Sequence, residues 1–254
     1  MDRYHLLKQK FDSCSKVVGA TFMSFNNSLI LEHMARREDL DYILFDAEHG
    51  VFDSINLIPC LQTLRLLGLP SLVRVPDSQY HLISRYLDIG ADGIMLPRTE
   101  TLEQVRTAVE AMRFYPLGKK GVGGHAQLRP GEKFEDFAST RFLLLQIETP
   151  EGIRNLPNMI ERYGEHISAI VVGPYDLSVM VGTPLDISSP AVLDSIQEVF
   201  DIAKSYGKSC GIFCDDEVKA KLYRSMGANV LWLSADREYF MRGFNQMMDG
   251  TTSL

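Results

Sequence analysis

Four short segments carry acidic, basic or imidazole side chains at the ends of apolar runs. They are Asp46-Ala47-Glu48-His49, Arg74 ahead of Val75-Pro76, Gln146-Ile147-Glu148 and Gly173-Pro174-Tyr175-Asp176. Glu148 and Asp176 offer two hard oxygen ligands with no cysteine nearby, which suits Mg²⁺ or Mn²⁺; such ions keep waters and take further ligands from substrate. Arg74 has the planar fork that binds a carboxylate. His49 is the histidine that closes an apolar run, and it suits a general base oriented by an acidic neighbour. Together these groups would let a 2-oxo acid chelate the ion and lose or gain a proton at C3, with the enolate charge falling toward the cations. Each residue alone has a plainer reading. Asp176 could cap a helix beginning near Leu177, Asp46 could open a turn, and Arg74 could pair with a structural carboxylate. The functional reading rests on their convergence.

That convergence requires elements that bring the four segments to one rim. Apolar, β-rich runs recur at 17–22, 41–46, 71–75, 92–96, 142–148, 169–173, 209–214 and 229–234, separated by helix-period segments such as 53–67, 101–114 and 191–206. Near-continuous apolar strands point to a parallel sheet covered by helices. Eight strand–helix pairs in 254 residues match a (β/α)8 TIM barrel of the α/β class, a single domain over 1–254. A doubly wound sheet competes, but no GxGxxG follows the first strand. In a barrel the four segments share the C-terminal rim, where barrel chemistry is found. Residues 115–133, rich in glycine, read as a βα loop over the site. A Schiff-base mechanism lacks a candidate, because no lysine falls in an expected strand; Lys16 and Lys208 precede strands, and Lys119 and Lys120 lie in the loop.

Composition removes other classes. With 26 basic and 33 acidic side chains the net charge is −7, which argues against a nonspecific nucleic-acid binder. No apolar run reaches membrane-spanning length, and the start, MDRYHLLKQKF, reads as a charged helix rather than a signal peptide. The four cysteines form no CxxC pair, and Cys210 and Cys214 read as strand packing rather than a zinc site. The expectation is a cytoplasmic protein with a small-molecule substrate and neither a nucleic-acid nor a membrane partner.

The ordered motifs DYILFDAEHG, LVRVP, LDIGADGIMLPRTET, YPLGKKGVGG, LLQIETPEG and VGPYDLSVMVG resemble the HpcH/HpaI aldolase family over roughly residues 15–245. The resemblance implies a metal-dependent (class II) pyruvate aldolase on a (β/α)8 barrel. It also implies a hexamer in which neighbouring subunits exchange a C-terminal helix. It implies Glu148 and Asp176 as ligands of Mg²⁺, Mn²⁺ or Co²⁺, and Arg74 as the group that binds the substrate carboxylate and enolate oxygen. His49, paired with Asp46, would handle protons, with Glu48 in support. Gln146, Gly173 and the amides of Tyr175 and Asp176 would line the substrate site, and Asp88 would reach into a neighbour's site. The sequence departs from the family pattern at Lys119-Lys120 and at Arg98. These read as a solvated basic surface, or alternatively as a rim for a polyanionic partner. The resemblance thus leaves two activities: cleavage of a 4-hydroxy-2-oxo acid of the 2-keto-3-deoxy sugar acid type, or a citrate-forming condensation of oxaloacetate with acetyl-CoA, as in siderophore pathways. A non-catalytic barrel is disfavoured by the complete set Asp46, His49, Arg74, Glu148 and Asp176.

Overall fold

The computed structural model describes residues 2–124 and 126–252. Eight parallel strands follow one another around a closed barrel. They are β1 (Val17–Phe22), β2 (Tyr42–Asp46), β3 (Ser71–Arg74), β4 (Gly93–Leu96), β5 (Phe142–Ile147), β6 (Ala169–Val172), β7 (Ser209–Cys214) and β8 (Val230–Ala235). Pairing of Val17 with Val230 closes the ring, which excludes the doubly wound alternative. The helices are α1 (Arg3–Asp12), α2 (Ser28–Ala35), α3 (Ile58–Leu66), α4 (Tyr80–Asp88), α5 (Leu102–Met112), α6 (Pro150–Tyr163), α7 (Pro174–Met180), α8 (Pro190–Ser205), α9 (Glu217–Met226) and α10 (Asp236–Thr252). Their boundaries follow local chemistry. Thr101 and Gln104 form a capping box on α5, and Thr149 and Ser189 cap α6 and α8 ahead of a proline in the first turn. Gly227 ends α9 at φ 110, a conformation that a side chain would strain.

Side chains alternate along each strand with period two, and this sorts the core into two layers. Tyr42, Leu44, Leu72, Leu144, Val171 and Trp232 belong to the inner cluster, together with Leu7 and Phe11 of α1. Phe11 meets Phe142 with ring centroids 5.7 Å apart, so α1 closes the N-terminal end. Ile43, Phe45, Val73, Leu145, Ile147 and Val172 have the opposite parity and pack against the helices. Cys210 and Cys214 also lie in this outer layer as free thiols. Burial pushes them up to about 11 and about 12, which agrees with strand packing. Gly19 has a steric reason: a Cβ there would stand 2.0 Å from the Tyr42 ring.

The segment 115–133 is not a loop over the site. It follows α5 and leads into β5, so it returns along the N-terminal rim. There Arg129 Nη1 meets Asp92 Oδ1 at 3.0 Å, and Arg65 Nη1 donates to the Leu128 carbonyl at 3.0 Å. Lys120 is not solvated either. Its buried ammonium donates to Asp88 Oδ1 at 2.6 Å and Ser84 Oγ at 3.0 Å, whereas exposed Lys119 pairs with Glu110 at 2.8 Å. Both lysines thus lie on the rim opposite the four strand-end segments of their own barrel. The neighbouring His125 lies outside the described residues.

Glu132 ties this segment to the barrel through Arg141 Nη1 at 2.8 Å and Arg129 Nη2 at 2.9 Å. Burial opposes its charge, but hydrogen bonding and attraction to Arg141 outweigh burial and bring the carboxyl down to about 2. A carboxyl depressed in the folded state stabilises the fold above its unfolded value, near 4.5, and that contribution is lost as pH falls toward 2. Removing one partner of a buried pair costs about 3 kcal/mol or more. Glu132→Gln should therefore lower Tm at pH 7 by about 6–10 °C and flatten the decline in Tm between pH 5 and 2. Thermal unfolding across pH would contradict this if the variant matched wild type at pH 7.

Candidate active site

The inward parity of the strands continues past the apolar core to the C-terminal rim. Above Tyr42 and Leu44 the next inward position on β2 is Asp46; above Leu72 on β3 it is Arg74; above Leu144 on β5 it is Gln146. Arg74 Nε and Nη2 donate to Asp46 Oδ1 and Oδ2 at 2.9 and 2.5 Å. Its Nη1 reaches Gln146 Oε1 at 3.4 Å. These three bonds leave two of the five guanidinium donors free. Arg74 also lies 5.3 Å from the Trp232 ring centroid, and the indole N–H is bound to Thr21 Oγ1. Burial disfavours the arginine charge, but Asp46 outweighs it and raises the group above its ordinary value.

The sequence pairing of Asp46 with the His49 ring is corrected. Both Asp46 oxygens are committed to Arg74, and Oδ1 additionally accepts the Glu48 and His49 amides at 3.0 and 3.3 Å. Asp46 thus also makes the turn considered from sequence. The exposed imidazole instead places Nε2 3.7 Å from Glu48 Oε2, and the same oxygen is 3.3 Å from Arg74 Nε. Glu48 Oε2 is buried yet accepts no hydrogen bond. Burial raises its carboxyl above the usual range, with Arg74 and His49 opposing.

Glu148 is buried, 4% exposed. Its Oε1 accepts the Arg98 amide at 2.9 Å, and Gln146 Nε2 donates to its Oε2. Arg98 presents that amide with φ at 42, a backbone state that is strained for a non-glycine residue. A Cβ at Gly173 would lie 2.0 Å from Glu148 Oε2, so only glycine admits the carboxylate. Asp176 is exposed in the first turn of α7, whose N-cap is Gly173 with no side-chain cap bond; Asp176 is therefore not the cap considered from sequence. Burial, and then the charge of Asp176, push Glu148 up to about 7.

A cavity of about 550 Å³ opens at this rim, lined by His49, Arg74, Gln146, Tyr175, Asp176 and Trp232 among others. The donor set fits a divalent ion. Glu148 and Asp176 repel one another without a cation between them, Glu48 holds an orphaned oxygen nearby, and the oxygens are hard. Two carboxylates completed by waters are a donor set of the kind that suits Mg²⁺, Mn²⁺ or Co²⁺; among the described residues no group of three or more candidate ligands is clustered.

Asp88 stands apart. It ends α4 on the N-terminal rim, where Lys120 and Gln127 hold its carboxylate at 2.6 and 3.0 Å. The sequence reading also missed Asp215, which lies just past β7 and accepts the Tyr175 hydroxyl at 2.9 Å, and Trp232. The strand-end rule that found the other residues would have found Asp215.

A model of the HpcH/HpaI aldolase/citrate lyase family matches residues 20–242. The 5-keto-4-deoxy-D-glucarate aldolase of Salmonella arizonae is 33% identical over 213 residues, covering 82% of either chain. Among solved structures, the HpcH/HpaI aldolase from Desulfitobacterium hafniense matches with TM-score 0.88 at 26% identity, over 98% of this chain and 97% of its own. Citrate synthase SbnG shares the fold, with TM-score 0.83 at 23% identity over 97% of each chain. With the closed barrel and the family match spanning most of its length, the chain belongs to the HpcH/HpaI aldolase/citrate lyase family and is an enzyme of that aldolase and lyase class.

Proposed function

We propose that this enzyme reversibly cleaves a 4-hydroxy-2-oxo acid of the 2-keto-3-deoxy sugar acid type to pyruvate and an aldehyde. The observation that carries the reading is Arg74. Asp46 holds it side-on, Arg74 lines the same cavity as Asp176, and the charge of Glu148 acts on it. The likeness to proteins named 5-keto-4-deoxy-D-glucarate aldolase supports the substrate class.

Glu148 and Asp176 would hold the divalent ion, which when bound polarises the 2-oxo group as a Lewis acid. Arg74 binds the substrate carboxylate and the oxygen on which enolate charge develops, so its contribution grows toward the transition state. Gln146 fixes Arg74 and Glu148 relative to each other, and Gly173 leaves room for that carboxylate. The amides of Tyr175 and Asp176, in the uncapped first turn of α7, receive the carboxylate from the other side. His49 takes the proton from the C4 hydroxyl as the C3–C4 bond breaks, and a proton is returned to C3 of the enolate. Glu48, rather than Asp46, orients the imidazole.

The proposal includes a homo-oligomer, a hexamer with α10 exchanged between subunits. Phe240, Phe244, Met247 and Met248 of α10 are exposed, an apolar face suited to a subunit contact. Asp88, on the rim remote from its own site, would act in a neighbour's site, held there by Lys120 and Gln127. A cytoplasmic setting is included, on the evidence of four free cysteines; no helix among the described residues is long and apolar enough to cross a membrane. The second reading is condensation of oxaloacetate with acetyl-CoA. It draws on the barrel shared with SbnG and on Arg98, exposed beside Glu148.

The purified enzyme with Mg²⁺ or Mn²⁺ should release pyruvate from a 2-keto-3-deoxy sugar acid, and EDTA should abolish the release. Thiol release from acetyl-CoA plus oxaloacetate, without pyruvate release, would replace this reading with the second. In Mn²⁺ titrations Glu148→Gln and Asp176→Asn should lose affinity by about tenfold or more, whereas His49→Ala should retain it while losing turnover by about 10²–10⁴. Equal loss of Mn²⁺ in His49→Ala would make His49 a ligand. Arg74→Lys keeps the charge but not the fork, and kcat should fall about a hundredfold or more. A change in KM alone would contradict the role given to Arg74.

A further inference from the structure

The N-terminal rim contains a second cavity, of about 230 Å³, at the entrances of β5, β6 and β7. Its lining includes Arg113, Arg141, His166, Lys208 and, from α1, Lys8 and Asp12. Most of these charges are matched. Lys8 pairs with Asp12 at 2.6 Å, Arg141 with Glu132 at 2.8 Å, and exposed Glu165 lies 3.5 Å from His166. Arg113 and Lys208 have no carboxylate within ion-pair distance among the described residues, although the charge of Asp12 acts on Lys208 from farther off. Arg113 is 4% exposed, yet among the described residues its side chain donates only to the Met112 and Arg141 carbonyls, at 3.3 and 3.4 Å. Lys208 Nζ donates to the Gly164 and Ile167 carbonyls at 2.5 and 3.5 Å. Neither forms an ion pair among the described residues, and Arg141 Nε is buried without a partner.

A buried cation without a counter-charge is costly, and arginine cannot relieve the cost by losing its proton at neutral pH. Burial, and then the charge of Arg141, bring Arg113 down only to about 10. Burial followed by Arg113 holds His166 below its usual range, with Glu165 opposing.

We propose that this cavity binds a small oxyanion, a phosphate group or a carboxylate, between Arg113 and Lys208. The anion neutralises two cations that the fold pairs with backbone carbonyls rather than with carboxylates, and ties α1 to the entrances of β5, β6 and β7. The site is separate from the one at the C-terminal rim, and its occupancy bears on stability rather than on turnover.

The test is thermal unfolding of the full chain at constant ionic strength, with inorganic phosphate in one series and malonate in another. At about a hundredfold excess over Kd, wild type should gain about 5 °C in Tm. The stronger of the two additives identifies the phosphate or carboxylate class. Lys208→Met should lose that gain while keeping wild-type lyase activity. Arg113→Gln should lose it too, and should melt no lower than wild type without additive, because an unmatched buried charge has been removed. Equal gains in wild type and Lys208→Met would assign the effect to another site and overturn the proposal. Absence of any gain in wild type with both additives would overturn it as well.

Discussion

The side-on pair between Arg74 and Asp46 is the interaction on which the site depends. Burying a guanidinium at the mouth of an apolar barrel is costly without a counter-charge, and loss of one partner from a buried pair costs about 3–5 kcal/mol. Asp46 supplies that charge along the Nε edge and so dictates which donors remain for a ligand. Gln146 then links the arginine to Glu148. Glu148 is confined between the Arg98 amide and a glycine that leaves space for it. The order of dependence runs from Asp46 to Arg74, then through Gln146 to the acidic pair.

The same period of two that packs Tyr42, Leu72 and Leu144 into the barrel interior places Asp46, Arg74 and Gln146 above them. The barrel was therefore legible in the sequence, and so was much of the site, because apolar strands end in polar residues of the correct parity. What the sequence conceals is which partner a residue takes and, for one segment, which rim it lies on. Asp46 and His49 are close in the chain, but Asp46 shares the inward parity of Arg74 across the β2–β3 register, and the arginine takes both its oxygens. Glu48, two residues beyond Asp46, has that parity too and inherits the histidine. The segment 115–133 lies on the N-terminal rim because α5 precedes it and β5 follows, which its length and glycine content do not reveal. Lys120 looked solvated because a sequence does not reveal that Asp88 and Ser84 wait for it.

The two ends of the barrel carry unbalanced charge of opposite sign. At the C-terminal rim Glu48, Glu148 and Asp176 leave negative charge without a full set of partners, and burial, then the charge of Asp176, push Glu148 up to about 7. At the N-terminal rim Arg113 and Lys208 leave positive charge against backbone carbonyls. The middle is closed by an apolar plug of which Leu7, Phe11 and Phe142 form the base. A barrel that buries so much apolar surface between its ends tolerates such local imbalance, and those sites are where ligands of opposite charge gain most.

The proposed mechanism has Arg74, with a metal ion held by Glu148 and Asp176, stabilise the enolate of pyruvate whether or not an aldehyde is present. The most direct measurement is proton NMR of pyruvate with the Mg²⁺-loaded enzyme in D₂O, without any aldehyde. The account predicts enzyme-dependent loss of the methyl signal as C3 protons exchange for deuterium, arrested by chelation of the metal. A methyl signal that persists while the enzyme demonstrably binds both Mg²⁺ and pyruvate would contradict it.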